Sequence, residues 1–580
     1  MIILEISFLC NGLMSLSDCK TILTLCVDKM PTTSKIPEFR LLAAPILLRS
    51  KNIKHFLEYV TQNFLTRKPV CLPALYAGSL ADYRHSRSIP SVDIPGLLAS
   101  PTLPMPILQI TILCLVALLI GAFVRGQWRV WLLLVASLAA VYWLQPFTPI
   151  SHLDFWLPSI SVVLTIFVWA VTRQNQPWNS KDNWITAGIL IGFVLVIGLS
   201  RYLGPVCCLT PSRPPVLYQI ILLIALTTGL VLLFWRTSQG QSALLAGFLV
   251  LILGLFIILK TEPLAVWLSA GLRSLSGRSS STASALDLRW LGFSYIAFRL
   301  LHCLRDRQNG RLPEFKLHEF LIYVLFFPTL TAGPIDRSQR FIQDLRKPNN
   351  LNSQDLTQSF QRIAWGFFKK FVVADTLAVI ALNEVNAAQT SPTMWLWVFV
   401  YAYAFRIYFD FSGYTDIAIG AGQFVGIKLP ENFDRPYLKP NLTAFWNSWH
   451  ITLALWFRAY FFNPLTRALR SNKRTISMPV IIFLGQLGTM TLIGLWHGVT
   501  WNFLIWGAWH GIGLFFHNRW SEFSKAKLVG LTQTPWLNRL SSLASTFLTF
   551  QYVVLGWVWF ALPEPAQSWK VLLGLFGYGQ

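Results

Sequence analysis

Two histidines stand in the most aromatic part of the chain, where an imidazole could exchange protons with a substrate. His497 lies in TLIGLWHGVTWNFLIWGAWHG (491–511), and His450 lies in PNLTAFWNSWHITLALWFRAY (440–460). An unperturbed histidine has a pKa near 6.5, so at neutral pH it can take the proton of a hydroxyl group that attacks a carbonyl carbon. A second histidine could orient a substrate or stabilise developing negative charge. The residue types therefore favour general-base chemistry.

Each histidine also has a structural interpretation. The spacing around His450 predicts a helix that begins at Asn441, and an interfacial histidine on such a helix often only completes a hydrogen bond. Near His497, glycines four residues apart occur at 494 and 498 and at 507 and 511. Such pairs allow close packing of membrane helices. Packing explains the glycines but not an imidazole in an apolar segment, so His497 is the stronger catalytic candidate.

The composition indicates that lipid, not water, surrounds most of the chain. Of 580 residues, 54% are hydrophobic and 13% are charged, with a mean hydropathy of +0.50, whereas soluble domains carry about 25% charged residues. The net charge of +23 is divided among short segments between apolar runs, which favours anionic lipid headgroups over nucleic acid as partners. The eight cysteines show no zinc or redox spacing, and we expect neither a metal nor a bound cofactor.

Apolar runs long enough to cross a bilayer recur through most of the sequence. In the first half they cover 106–124, 130–145, 155–172, 184–203, 215–236 and 242–259. In the second half they cover 289–304, 318–331, 364–383, 393–423, 477–516 and 541–562, and ionisable residues interrupt them. The pattern predicts an all-α, polytopic membrane protein with about 10–13 transmembrane or re-entrant helices.

Residues 1–104 differ from the rest because they contain no apolar stretch of ~20 residues. We expect a leader, either disordered or an extension ahead of a later start such as Met105, followed by a membrane domain over residues 105–575. Two basic loops, one around Arg346 and one around Arg470, are predicted to face the cytoplasm.

Seven strings in fixed order resemble the membrane-bound O-acyltransferase family, in its bacterial branch of alginate O-acetylation and teichoic acid D-alanylation proteins. They are LGFSYIAFRLLHCLRD (291–306), FFPTLTAGPIDR (326–337), GFFKKFVVAD (366–375), YFDFSGYTDIAIG (408–420), LPENFDRPYL (429–438), FWNSWHITLALWFRAYFFNPL (445–465) and LWHGVTWNFLIWGAWHG (495–511). GLFIILK (254–260) is a weaker preceding element.

The resemblance implies a ring of tilted helices around a central funnel, with His497 as the catalytic histidine and His450 as the second signature histidine. It implies transfer of an acyl group, expected to be acetyl, from an acyl thioester such as acetyl-CoA or an acyl carrier. The expected acceptor is a hydroxyl of an exported polysaccharide or of an extracytoplasmic acetyltransferase partner, and the expected location is the plasma membrane. Residues expected to support the site or line the tunnel are Asp410, Tyr414, Asp416, Asn447, Trp496, Trp501 and Asn502.

The sequence departs from the family pattern near His450. Ser448 stands where the family usually has Arg, Ala459 where it has Asp, and Thr466 and Arg467 where it has a Gly-Gly pair. Both histidines remain, but the departures leave open how donor or partner docks.

Two other functions are compatible with an apolar chain that carries intramembrane polar groups. A transporter or saccharide-lipid flippase would use Asp410, Asp416 and His497 as an ion or proton relay. A non-catalytic scaffold would only recruit other acetyltransferases, but it would have no need for an imidazole at membrane depth. Consumption of an acyl thioester without an ion gradient would identify the enzyme.

We predict that a chain beginning at Met105 inserts into the membrane and retains acyl-transfer activity, because residues 1–104 contain neither a span nor a family motif. Membrane fractionation and activity at matched abundance would test this. Loss of activity at normal abundance would show that the leader is part of the working protein.

Overall fold

The computed structural model describes residues 107–173, 179–204, 209–237, 242–349, 351–389, 392–471, 476–527 and 535–578. The predicted leader lies outside these residues, and so do the cysteine pair Cys207 and Cys208 and part of the basic loop after Arg470.

The described chain is built from α-helices. In the first half the helices are α1 Ile107–Phe123, α2 Gln127–Trp143, α3 Leu153–Thr172, α4 Lys181–Ser200, α5 Leu217–Thr237, α6 Ser242–Lys260 and α7 Glu262–Leu275. Each of the six runs predicted before residue 260 is therefore a helix. Among the described residues, extended pairing is limited to one isolated bridge between Phe433 and Trp449, and the all-α prediction is confirmed.

The second half contains shorter helices between long ones. They are α8 Phe293–Gln308, α9 Leu317–Leu325, α10 Ser338–Arg346, α11 Ser353–Phe367, α12 Asp375–Ala378, α13 Glu384–Ala388, α14 Thr393–Phe424, α15 Leu442–Trp446, α16 Ile451–Phe457, α17 Asn463–Arg470, α18 Met478–His497, α19 Trp501–Lys527, α20 Pro535–Ala561 and α21 Pro565–Gly574. π-helical turns at Phe368–Ala374 and Arg458–Phe462 join α11 to α12 and α16 to α17.

Five of the described helices, α3, α4, α6, α18 and α20, are long and apolar enough to cross a membrane. On α6, the large apolar side chains of Val250, Leu253 and Ile257 are exposed. A row of such side chains on one helix is stable against hydrocarbon but not against water. The chain is a polytopic membrane protein, as its composition predicted.

Buried apolar side chains form two large clusters. The first joins α1, α2 and α3 to α8 and α9 and to the end of α14. The second joins the start of α14 to α15, α16, α18, α19, α20 and α21. His497 and His450 both belong to elements of the second cluster.

The predicted helix over 440–460 is broken in the structure. Asn441 caps its start as predicted, with the side-chain oxygen accepting the Ala444 amide hydrogen at 2.8 Å. The helix ends at Trp446 and resumes at Ile451. The backbone of Asn432 accepts the Ile451 amide hydrogen at 3.0 Å, so a neighbouring loop takes a donor that a continuous helix would have used internally.

The apolar stretch at 477–516 is likewise two helices, α18 and α19, packed closely against each other. A Cβ added to Gly494 would lie 2.1 Å from the Phe503 carbonyl oxygen, and one added to Gly507 would lie 2.5 Å from the Met490 carbonyl oxygen. Both contacts are with backbone, so no side chain could move aside to make room. The predicted small-residue packing is confirmed at these two positions.

We predict that Gly494→Ala lowers stability by about 1–3 kcal/mol, because the added methyl group must push the two helices apart. Gly254→Ala on α6 is the matched control, since a Cβ there meets nothing within 4 Å and alanine favours a helix more than glycine does. Thermal unfolding in detergent would measure both. Equal melting temperatures for the two variants would contradict the prediction.

Candidate active site

His497 is the last residue of α18, next to the three-residue break before α19. Its ring is half-buried. Ring centroids lie 4.7 Å away for Phe560, 5.6 Å for Trp506 and 5.8 Å for Phe503. In the part of the chain that the structure describes, no protein group hydrogen-bonds to the imidazole. The ring therefore has aromatic walls and nitrogens available to another molecule.

His450 occupies the break between α15 and α16 in a left-handed backbone conformation, with φ 42° and ψ 51°. This conformation costs a residue with a Cβ about 1–2 kcal/mol, and such strain is concentrated at functional sites. The His450 side chain is 4% exposed, and neither ring nitrogen has a hydrogen-bond partner among the described groups. Its ring contacts Phe411 at 4.7 Å between centroids.

The loop that contains Asn432 holds this strained conformation in place. The Asn432 side-chain oxygen accepts hydrogen bonds from the Thr452 amide at 3.2 Å and from the Thr452 hydroxyl at 2.7 Å. The Thr452 hydroxyl oxygen in turn accepts the Ile335 amide hydrogen at 3.1 Å. Asn432 lies in LPENFDRPYL, so this string positions the backbone beside His450.

Trp496 connects the two histidines. Its ring centroid lies 4.5 Å from that of His497 and 6.1 Å from that of His450, and it stacks on the latter. The structure therefore brings together three residues that the sequence singled out, from two different helix breaks.

Lys260 also belongs to this site, although sequence reasoning placed it only in the weak string GLFIILK. Its ammonium group donates to the His497 carbonyl oxygen at 3.4 Å, and its own carbonyl accepts the Val499 amide hydrogen at 3.2 Å. The end of α6 is thus fastened to both sides of the break. A cation at the carboxyl end of α18 also complements the negative end of that helix.

His510 is a further buried histidine, expected to be functional as an ionisable residue in an apolar stretch but given no specific role by the sequence. It is fully buried in α19, between Trp446 and Trp506 at 5.0 Å each, and both ring nitrogens lack a partner among the described groups. Gly556 leaves the room that its ring needs, since a Cβ there would lie 2.9 Å from Nε2. In the sequence, the feature that could have pointed to His510 is the second WHG string (509–511).

Asp410 and Asp416 form ion pairs with the basic residues of the neighbouring helical segment. Lys370 donates to Asp410 at 2.5 Å and Lys369 to Asp416 at 2.7 Å, while Arg362 reaches Asp416 at 3.1 Å. These contacts give both carboxylates opposite charges as partners. They anchor α11 and its π-helical turn to α14.

The other residues expected to support the site lie in different surroundings. Tyr414 is buried and its hydroxyl bonds with that of Thr331. Asn502 is buried and donates to the Leu562 carbonyl at 2.6 Å, which ties α19 to the end of α20. Asn447 is exposed and accepts from an arginine side chain, and Trp501 is 70% exposed. The structure therefore does not bring Asn447 or Trp501 into contact with His497.

The positions that depart from the family pattern have local partners. The Ser448 hydroxyl donates to the Ala444 carbonyl at 2.6 Å and is buried. Thr466 packs against α18 where Gly485 leaves space, since a Cβ on Gly485 would lie 2.9 Å from the threonine methyl group. Within the described residues, no group of three or more His, Cys, Asp or Glu side chains is arranged to hold a metal ion.

Comparison with known proteins finds one family model, the membrane-bound O-acyltransferase family, which matches residues 223–559. The teichoic acid D-alanyltransferase of Streptococcus thermophilus is 35% identical over 47% of this chain and 68% of that protein. The probable alginate O-acetylase of Pseudomonas fluorescens is 33% identical over 55% of this chain and 62% of its own length. The peptidoglycan O-acetyltransferase of Helicobacter pylori is 34% identical over 46% of this chain and 49% of its own length.

Proposed function

This chain belongs to the membrane-bound O-acyltransferase family, and we propose that it transfers an acetyl group from an acyl thioester to a hydroxyl of an exported polysaccharide or of a partner protein. Two of the relatives above are named as O-acetylating enzymes, which supports acetyl as the group transferred. D-alanyl is the second candidate, because the Streptococcus thermophilus relative is named for its transfer.

The observation that carries the proposal is the position of His497. Its ring is half-buried at a helix break, is enclosed by aromatic side chains, and has no described protein partner for its nitrogens. A neutral imidazole in such surroundings can accept a proton, while the aromatic walls limit the access of water that would hydrolyse a thioester.

The reaction would proceed by addition and elimination. His497 accepts the hydroxyl proton as the oxygen attacks the thioester carbonyl carbon, which forms a tetrahedral intermediate. The C–S bond then breaks, the ester carbonyl forms again, and the imidazolium returns the proton to the leaving sulfur. A thiol has a pKa of about 8.5, so it leaves more readily than an alkoxide. The products are an ester and a free thiol.

His450, which stacks on the ring of Trp496, would orient a substrate. Its two nitrogens lack described partners, and a polar group of the acyl donor or of the acyl acceptor could hydrogen-bond to them. Burial without a partner costs about 1–3 kcal/mol. Recovery of that cost on binding would favour a substrate that presents a hydrogen-bond donor or acceptor there.

The proposed location is the plasma membrane. An acyl thioester is made inside the cell and an exported polymer lies outside, so the enzyme must join the two compartments. The basic loops around Arg346 and Arg470 would then face the cytoplasm.

Two measurements test the proposal. Mass spectrometry of the surface polymer, with and without this protein, would identify an ester group that disappears. Purified protein in detergent, given acetyl-CoA and no gradient, should release free thiol when the acceptor is added. A transporter would leave the thioester intact in that experiment.

We predict that His497→Ala lowers turnover by ~10²–10⁴, because it removes the base in a site where bulk water is a poor replacement. His450→Ala should also be severely impaired, with more residual activity if its role is binding. The measurement is thiol release per folded molecule, with monodispersity in detergent as the folding check.

His517→Gln is the matched control on α19, because glutamine can keep the hydrogen bond between position 517 and Thr443. It should retain near-normal turnover. A structural role for His497 would give the reverse pattern, with less folded protein but normal turnover in each surviving molecule. That result would sink the mechanism and favour the transporter interpretation again.

We predict that Lys260→Met lowers turnover about tenfold or more without lowering abundance, because it removes a charge-assisted hydrogen bond that fixes the His497 backbone. Lys260→Arg should restore much of the loss, since it keeps the positive charge and the donor. Lys260 acts by positioning His497, so kcat should fall more than KM rises. Full turnover in Lys260→Met would show that the contact does not position His497.

A further inference from the structure

A polar cavity of about 270 Å³ lies away from the catalytic histidines, among elements of the first hydrophobic cluster. It is bordered by the start of α2, the start of α9 and the end of α10. Its lining includes Arg125, Arg129, His318, Glu319, Arg346 and Lys347. None of the aromatic residues around His497 lines it.

Positive charge exceeds negative charge in this cavity. Glu319 is the carboxylate in the lining, and Arg346 binds both of its oxygens, at 2.7 and 2.8 Å. Lys347 contacts Asp344 at 3.1 Å. Arg125 and Arg129 instead donate to backbone carbonyls. Among the described residues, no carboxylate balances these two guanidinium groups within 4 Å.

Arg129 is 3% exposed. Burying its charge costs desolvation free energy, which hydrogen bonds to the guanidinium offset in part. Its guanidinium donates to the carbonyls of Leu345, Lys347 and Val425, at 2.5, 2.8 and 3.2 Å. These carbonyls follow or end helices α10 and α14, whose carboxyl ends are partly negative. Carbonyl dipoles do not neutralise the positive charge, and Asp344 acts on it only from beyond ion-pair distance.

Two further features of the cavity suit an anion. α2 begins at Gln127 without a side-chain cap, so its first amide hydrogens and its positive end face this region. His318 is 7% exposed, and its Nδ1 atom has no partner among the described groups. An unpartnered ring nitrogen beside a cavity can hydrogen-bond to a ligand that enters it.

We propose that this cavity binds a phosphate group, carried either by an anionic phospholipid or by a soluble molecule such as coenzyme A. Arg125 and Lys347 reach the phosphate from the exposed side, the start of α2 offers amide hydrogens, and His318 offers Nδ1 from the buried side. Planar guanidinium groups and helix amino ends are the common phosphate ligands in proteins. The proposal does not depend on the catalytic role of His497.

The test uses the full chain with Arg125→Gln/Lys347→Gln, two exposed side chains whose loss should leave the fold intact. Arg305→Gln/Arg307→Gln is the matched control, because it removes the same charge outside the cavity. One arm measures binding of coenzyme A and of inorganic phosphate in detergent by equilibrium dialysis. The other counts phosphatidylglycerol molecules retained in native mass spectrometry after extraction from nanodiscs, with phosphatidylcholine as the uncharged comparison.

The cavity variant should bind one of these ligands at least about tenfold more weakly than the control, since the loss of one charge-assisted hydrogen bond already has an effect of about tenfold. Weaker binding of coenzyme A and phosphate alone identifies a soluble ligand, and loss of phosphatidylglycerol alone identifies a lipid. Equal binding by both variants in both arms overturns the proposal. Because the readout is binding, a failure of acyl transfer in the same preparation leaves the result interpretable.

Discussion

The hydrogen bonds between Lys260 and the break after His497 satisfy backbone groups that a membrane protein cannot leave unpaired at low cost. Where α18 stops, carbonyl and amide groups lose their helical partners, and hydrocarbon offers no replacement. Lys260 supplies a donor to the His497 carbonyl and an acceptor for the Val499 amide. Non-helical backbone within a membrane is tolerated where other groups satisfy it, and the end of α6 satisfies two groups of this break. These two contacts fasten the end of α18, which carries the His497 imidazole, to the end of α6.

The same logic applies at the second break, where His450 stands. The chain leaves α15 after Trp446 and starts α16 at Ile451, with Asn432 accepting hydrogen bonds from the new helix's first amides. His450 is forced into a left-handed conformation, which ordinary side chains avoid. At each of the two breaks, other parts of the chain hydrogen-bond to the free backbone groups. The histidine beside each break contacts the same ring, that of Trp496. Because Trp496 contacts both imidazoles, a shift of either segment would change the packing of this ring.

Much of the fold could be predicted because the membrane simplifies it. Long apolar runs have few alternatives to a helix, and all six runs before residue 260 are helices. The helix predicted from the spacing at 440–460 is broken because Asn432, which lies outside this segment, competes for the amides of Ile451 and Thr452. Lys260 was missed for the same reason, since its partner is at position 497. The ion pairs of Asp410 and Asp416 join residues 40 or more positions apart, so only the fold could reveal them.

Charge is distributed differently among three polar regions of the described chain. Around α14, Lys369 and Lys370 form ion pairs with carboxylates, and these ion pairs hold neighbouring helical segments together. Beside α2, Arg129 is held by carbonyl oxygens, which orient a guanidinium without neutralising it. Near His497, Lys260 is likewise bonded to a carbonyl oxygen and not to a carboxylate. In the described residues, both cations are therefore fixed by backbone carbonyl oxygens and not by ion pairs, which orients their side chains without neutralising them.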